Sequence, residues 1–264
     1  VLSIWGVTFK TLRENPNILV PFLVVGFVDT LILALVYLAP RPPLSALLAP
    51  PIRAFWGEQF LHYPFNLFLI PRLFQYGHII STAFIGVLMT GVAILMLKEA
   101  KGSLRPCILF NLIKSLRMYL RLLVIWLVIF GLVSVVFKVV PFAFKLKQPL
   151  ITLYISLFIS IFIQTIFMYA MPAVMLEQKK AFSAMKRSIS FSKNVFLTTL
   201  ILVGIPTLFY IPLIMLQGGL AKLMSRLFPE IVLAIMGLNI IVSVITDCLV
   251  TCSTTILFLE QRKV

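Results

Sequence analysis

Hydrophobic residues fall in six long runs along the chain, with most polar residues between them. A run of about 20 apolar residues is what an α-helix needs to cross the hydrocarbon core of a bilayer. The runs predict six spanning helices: Ile18–Leu38, Ile79–Leu97, Leu122–Val140, Leu150–Leu176, Val195–Leu216 and Ile231–Leu259. The last is long for one crossing, which predicts a tilted helix or one that extends past the bilayer. The first is long for a signal core, and Tyr37-Leu38-Ala39 before Pro40 is a poor cleavage site, so it is expected to remain as a span.

The polar segments share a plan. Ahead of span one, Leu2, Trp5, Phe9 and Leu12 recur at helical spacing, with Lys10 and Arg13 off that stripe. Ahead of span three, Leu109, Leu112, Ile113, Leu116, Tyr119 and Leu120 make an apolar face opposed by Asn111, Lys114 and Arg121. Ahead of span five, Met185, Ile189, Ser192 and Phe196 line one side, and Lys186, Arg187, Lys193 and Asn194 the other. Such segments read as basic amphipathic helices lying in the membrane interface. Spans two, four and six also end alike, with Glu99, Glu177 and Glu260 each followed within two residues by a lysine or arginine. The expected fold class is an all-α polytopic membrane helical bundle. Its six transmembrane helices form three hairpins, each preceded by a basic interfacial helix. The repeat units are about 1–101, 102–180 and 181–264 within a single membrane domain. The first copy carries an insertion, 39–78. Its prolines predict irregular backbone, and its aromatic residues predict short helices on the outer membrane surface.

Composition sharpens this picture. Hydrophobic residues make up 61% of the chain, charged residues only 12%, and the mean hydropathy is +1.09. A soluble domain carries about 25% charged residues. A water-soluble globule is excluded, and with it most enzyme classes. The 23 basic residues against 8 acidic ones give a net charge of +15. In a soluble chain that would point to nucleic acid; here it points to anionic lipid, with no nucleic-acid partner. One set of loops holds Lys10 and Arg13, six basic residues from Lys98 to Arg121, five from Lys179 to Lys193, and Arg262 and Lys263. The opposite set holds Arg41, Arg53, Arg72, Lys138, Lys145, Lys147, Lys222 and Arg226. This bias places both termini in the cytoplasm of a cell with its multi-pass chain in the cytoplasmic membrane. Lys114, Arg117, Arg121, Lys186, Arg187 and Lys193 are the candidates for contact with lipid headgroups.

The string from Pro172 to Phe196, PAVMLEQKKAFSAMKRSISFSKNVF, resembles the recurring segment of a large prokaryotic membrane family. That family includes the membrane domain found beside glycerophosphoryl diester phosphodiesterases, and uncharacterised relatives. Its pattern is a span ending in Pro, then Glu, then Ala, then a basic residue and Ser. Pro172, Glu177, Ala184, Lys186 or Arg187, and Ser188 stand at those positions. The resemblance implies six spans. The phosphodiesterase activity of that family belongs to a separate soluble barrel, and the activity does not carry over.

Little chemistry is written in the remaining polar residues. His62 and His78 are sixteen apart and read as ordinary interfacial histidines. No cluster of ligand residues, Walker loop, GxSxG or HExxH occurs, so no metal and no cofactor are expected. The three cysteines, Cys107, Cys248 and Cys252, form no CxxC pair. The sharpest features are Asp29 and Asp247, near the middles of spans one and six. Each costs roughly 3 kcal/mol on insertion scales at mid-bilayer, and no lysine or arginine lies at their depth. Protonation, or hydroxyl partners among Thr30, Thr246, Ser243 and Thr251 together with Asn239, would relieve that cost. Pro172, Pro206 and Pro212 predict kinks in spans four and five. The expectation is a non-catalytic membrane module that contacts lipid headgroups or scaffolds a membrane-protein partner. The alternative is a small transporter or permease subunit using Asp29 and Asp247.

Overall fold

The computed structural model describes residues 1–63, 65–102, 104–144, 149–216 and 230–261. Every regular element among them is helical. In chain order these are α1 (Leu2–Glu14), α2 (Val20–Leu38), α3 (Ser45–Trp56), α4 (Phe65–Ser81), α5 (Val87–Lys101) and α6 (Ile108–Phe144). They continue with α7 (Pro149–Phe167), α8 (Ala170–Glu177), α9 (Ala181–Leu208), α10 (Tyr210–Met215) and α11 (Ile231–Gln261). A 3-10 turn, Pro16–Leu19, leads into α2, and a π-helical turn, Thr82–Gly86, joins α4 to α5. Among the described residues six helical segments are long and apolar enough to cross a membrane: Pro16–Leu38, Phe65–Lys101, Ile108–Phe142, Ile151–Glu177, Ala181–Leu213 and Ile231–Gln261. The protein is an all-α polytopic bundle. Helices suit a bilayer because they satisfy every backbone polar group internally. The basic residues Lys145, Lys147, Lys222, Arg226, Arg262 and Lys263 lie outside the described residues.

The second span starts earlier than its hydropathy indicates. The helix begins at Phe65, inside the segment expected to be an outer insertion ending at residue 78. Pro71 does not break it. The proline forfeits one intrahelical hydrogen bond, and Leu67, Leu69, Ile70 and Phe74 are buried around it. α3 lies within the expected insertion, and Ile52 on it packs with Ala39 and Leu69.

The three leading segments differ. α1 ends at Asn15, ahead of the 3-10 turn. α9 is kinked at Val195, whose φ of −125° and ψ of 22° leave the helical region. The expected separate helix at 108–121 is instead the first part of one continuous 37-residue helix, Ile108–Phe144. Residues 108–121 contain no glycine or proline, and leucine, lysine, arginine and methionine all propagate a helix.

The chain gathers into two compact units. The first comprises Val1–Phe22, Ala83–Leu208 and Asp247–Val264. In it α6 packs on α5 and α7, and α9 packs on α7 and α8. Small and polar side chains are prominent among the buried ones, with Asn111 and Ser115 on α6 and Ala181, Ala184, Ser188 and Ser192 on α9, beside Leu122 and Ile125 on α6 and Leu202 and Val203 on α9. Ser115 donates to the Leu88 carbonyl (2.9 Å), Tyr119 to Ala83 (3.0 Å) and Ser188 to Ile166 (2.7 Å). Leu109, Phe110, Ile113, Leu116 and Leu120 point outward instead. In lipid the apolar face needs no burial, while small and hydroxyl side chains let helices approach and bond. The large apolar side chains of Leu109, Phe110, Ile113, Leu116 and Leu120 therefore form an outer face and Asn111 and Ser115 the packed one, while Arg117 and Arg121 stay exposed.

Tyr169 sits at the core of this unit, fully buried between α7 and α8. Its backbone N–H donates to Ser188 Oγ (3.1 Å), and its ring meets those of Phe191 and Phe258. Its hydroxyl bonds to Thr199 Oγ1, and Thr199 donates onward to the Val195 carbonyl (2.9 Å) at the kink. The three span-ending glutamates also tie helix ends in this unit. Glu99 accepts from the Asn111 amide (2.7 Å) and the Cys107 N–H (3.2 Å). Glu177 pairs with Lys179 (2.8 Å), and Glu260 with Lys101 (2.6 Å).

The second unit comprises Leu23–Thr82 and Phe209–Thr246. Leu23, Phe27, Leu31 and Leu35 recur every four residues as an exposed stripe on α2, the face suited to lipid. Phe74, Val232, Met236 and Ile240 are buried together, with Ile32 and Leu33 against them. Tyr63 donates to Glu230 (3.1 Å) ahead of α11, and this bond holds its phenol above the ordinary value.

Candidate functional site

The site lies in the second unit and is built around Asp29 on α2. The carboxylate is 2% exposed. Its partner is a histidine that the hydropathy pattern placed outside the membrane. His78 Nδ1 lies 3.0 Å from Asp29 Oδ2, and Ser81 Oγ donates to Oδ1 at 2.7 Å and also reaches the His78 carbonyl (3.2 Å). Each carboxylate oxygen thus faces a hydrogen-bond donor, with the histidine donating in its Nδ1–H or imidazolium form. The expectation of no basic partner at this depth is corrected: it missed His78 because α4 extends into the span. Nor is Thr30 the hydroxyl partner. It is exposed and bonds back to the Gly26 carbonyl (2.8 Å) on its own helix.

Helical spacing explains the cluster. Phe74, His78 and Ser81 stand at i, i+4 and i+7, on one face of α4. The Phe74 ring stacks on the His78 ring, with centroids 5.9 Å apart and planes 18° apart. Two glycines permit the approach. A Cβ on Gly77 would lie 2.5 Å from Ile32 Cγ2 on α2, and one on Gly26 would lie 2.6 Å from Val244 Cγ2 on α11. Without side chains there, α4 and α11 both come up close against α2. Replacing Gly77 by valine should push α4 away from Asp29 and destabilise the protein by about 1–3 kcal/mol. Gly131→Ala, where an added Cβ meets nothing within 4 Å, is the control. Thermal unfolding in detergent should separate the two variants, and equal midpoints would contradict the close-approach role.

Asp29 and His78 open onto a cavity of about 60 Å³ that Phe74, Tyr210, Asn239, Ile240 and Ser243 also line. One water needs about 10–15 Å³ by the same measure, so several waters or a small cation fit. Tyr210, Asn239 and Ser243 bring further polar groups to it. Two interruptions in the spans lie next to residues of the site in sequence. The π turn Thr82–Gly86 begins directly after Ser81, and span five breaks at Phe209, directly before Tyr210. Such breaks recur at functional sites in helical membrane proteins.

The other anticipated residues fall elsewhere. Asp247 is exposed on α11, between the buried Thr246 and Cys248, and is not among the residues that line this cavity. Lys114 is half-buried, and Arg117, Arg121, Lys186, Arg187 and Lys193 are exposed in the first unit. Cys248 and Cys252 are buried free thiols with sulfurs 4.0 Å apart, and Cys107 is exposed. Among the described residues no group of three His, Cys, Asp or Glu side chains could hold a metal ion.

The chain matches no family model, no curated protein and no solved structure. Its functional reading therefore rests on the geometry above.

Proposed function

We propose that this protein is a non-catalytic integral membrane module of the small-transporter or permease-subunit kind, working through proton exchange at Asp29 and His78. The observation that carries this reading is the cluster of buried Asp29 and Ser81 with half-buried His78, beside a polar cavity within the spans. An ionisable pair is expensive at such depth, and membrane proteins keep such pairs chiefly along ion and proton paths. The chemistry follows from the pair. With one proton it is a carboxylate bonded to imidazolium, or a carboxylic acid beside neutral imidazole, and both states are neutral overall. Loss of that proton leaves one negative charge in the cavity, which a small cation can then neutralise. Proton and cation thus compete for the same carboxylate. Ser81 holds Oδ1 in place, and Tyr210, Asn239 and Ser243 offer oxygens to a guest. The alternative role of Asp29, as interhelical glue, predicts the same hydrogen bonds but no exchange.

In the same reading the chain sits in the cytoplasmic membrane with both termini inside, and its six-span plan is that of the phosphodiesterase-associated family it resembles. Lipid-headgroup contact is a separate surface property of the cytoplasmic side. The test is proton movement in liposomes containing purified protein and a trapped pH dye, under an imposed sodium or potassium gradient. Gradient-dependent pH change above that of empty liposomes is expected. Traces that match empty liposomes for both cations would overturn the proposal.

A further inference from the structure

The turn between α8 and α9 gathers basic groups from two parts of the first unit. Gln178, which ends α8, takes the left-handed conformation at φ 56°. Its carbonyl accepts from Arg121 Nη1 at 3.3 Å, which brings the guanidinium of α6 to the turn. The neighbouring Glu177 faces Lys179 (2.8 Å) and Arg187 Nε (3.8 Å), and Lys180 follows directly. Two cations thus pair with the Glu177 carboxylate, a third is held on the Gln178 carbonyl and Lys180 is on the same turn, and Arg121, Lys180 and Arg187 are exposed. The surplus positive charge sits where span four ends and span five begins. Large apolar side chains flank it in sequence: Leu120, 73% exposed, beside Arg121, and Phe182, 75% exposed, just after Lys180. A basic spot next to exposed apolar side chains fits a molecule with an anionic head and apolar tails.

We infer that this turn binds the phosphate of an anionic phospholipid, with Arg121, Lys180 and Arg187 holding the headgroup and Leu120 and Phe182 lying along the acyl chains. The proposal does not depend on the Asp29 site. Arg187 also steadies Glu177, so the test uses the other two cations. Wild type, Lys180→Gln and the double variant Arg121→Gln/Lys180→Gln are reconstituted in nanodiscs of mixed phosphatidylcholine and phosphatidylglycerol. They are then extracted, and native mass spectrometry counts the lipids retained. Preferential retention of phosphatidylglycerol is expected in wild type, falling roughly fivefold for each charge removed. Unchanged unfolding midpoints in pure phosphatidylcholine show that the variants fold; the single variant decides if the double one does not. Equal retention of the two lipids by wild type, or no loss in Lys180→Gln, would overturn the proposal. Displacement of the bound lipid by inorganic phosphate at equal concentration would also overturn it, assigning the turn to a soluble anion.

Discussion

Asp29→Asn will leave a folded protein inserted in the membrane that no longer exchanges protons. Asparagine is nearly isosteric with a protonated aspartate and still accepts at its carbonyl oxygen, so the bond from Ser81 survives. What disappears is the titrating group, and with it the charge that attracts a cation. The bond to His78 loses its charge assistance, but the asparagine amide can donate to Nδ1 of neutral His78, so the contact between the helices is kept. Proton movement should fall to the level of empty liposomes while the unfolding midpoint changes little. Asp29→Leu should differ, because it removes the carboxylate that both His78 and Ser81 bond to. It should destabilise by about 1 kcal/mol per lost bond. His78→Gln keeps a donor near Asp29 but cannot carry a proton, so it should alter the pH profile of transport more than folding. If Asp29→Asn is folded and fully active, the cluster is structural.

The largest loss of stability should follow Tyr169→Ala. Three elements converge on this side chain: the break between α7 and α8, α9 through Phe191 and Thr199, and α11 through Phe258. Truncating a fully buried aromatic side chain costs about 3–5 kcal/mol, because the cavity collapses only in part. The bond to Thr199, which closes the kink at Val195, is lost as well. Tyr169→Phe keeps the ring and should cost only about 1 kcal/mol. Unfolding of reconstituted protein should rank wild type, Phe and Ala in that order. A Phe variant as unstable as the Ala variant would place the hydroxyl, not the packing, at the centre of this core.

The spans were legible because twenty apolar residues have few alternatives to crossing a bilayer. Asp29 was legible for the same reason: a carboxylate interrupting such a run must be accommodated. Its histidine partner was not. Pro71, Arg72, Gln75 and His78 lower the hydropathy of α4 enough to hide that it is one helix with the rest of span two. The signal was present in another form, since Phe74, His78 and Ser81 share one helical face and Gly77 marks a close approach beside it. Asp247 drew the same inference as Asp29, but hydropathy does not report which way a side chain turns, and Asp247 is exposed. What the pattern of 108–121 did not disclose is that its helix runs on unbroken into span three: amphipathicity identifies two sides of a helix, not where the helix ends.

The measurement closest to the central claim is pH-difference infrared spectroscopy of the protein in lipid bilayers, recorded for wild type and Asp29→Asn. If Asp29 and His78 exchange protons with water, a carboxylic-acid carbonyl band will appear on acidification in wild type and be missing from the variant, and His78→Gln will shift the pH at which it appears. A wild-type spectrum whose carboxyl bands are all retained in Asp29→Asn would contradict proton exchange at this site and leave Asp29 as a bond between helices.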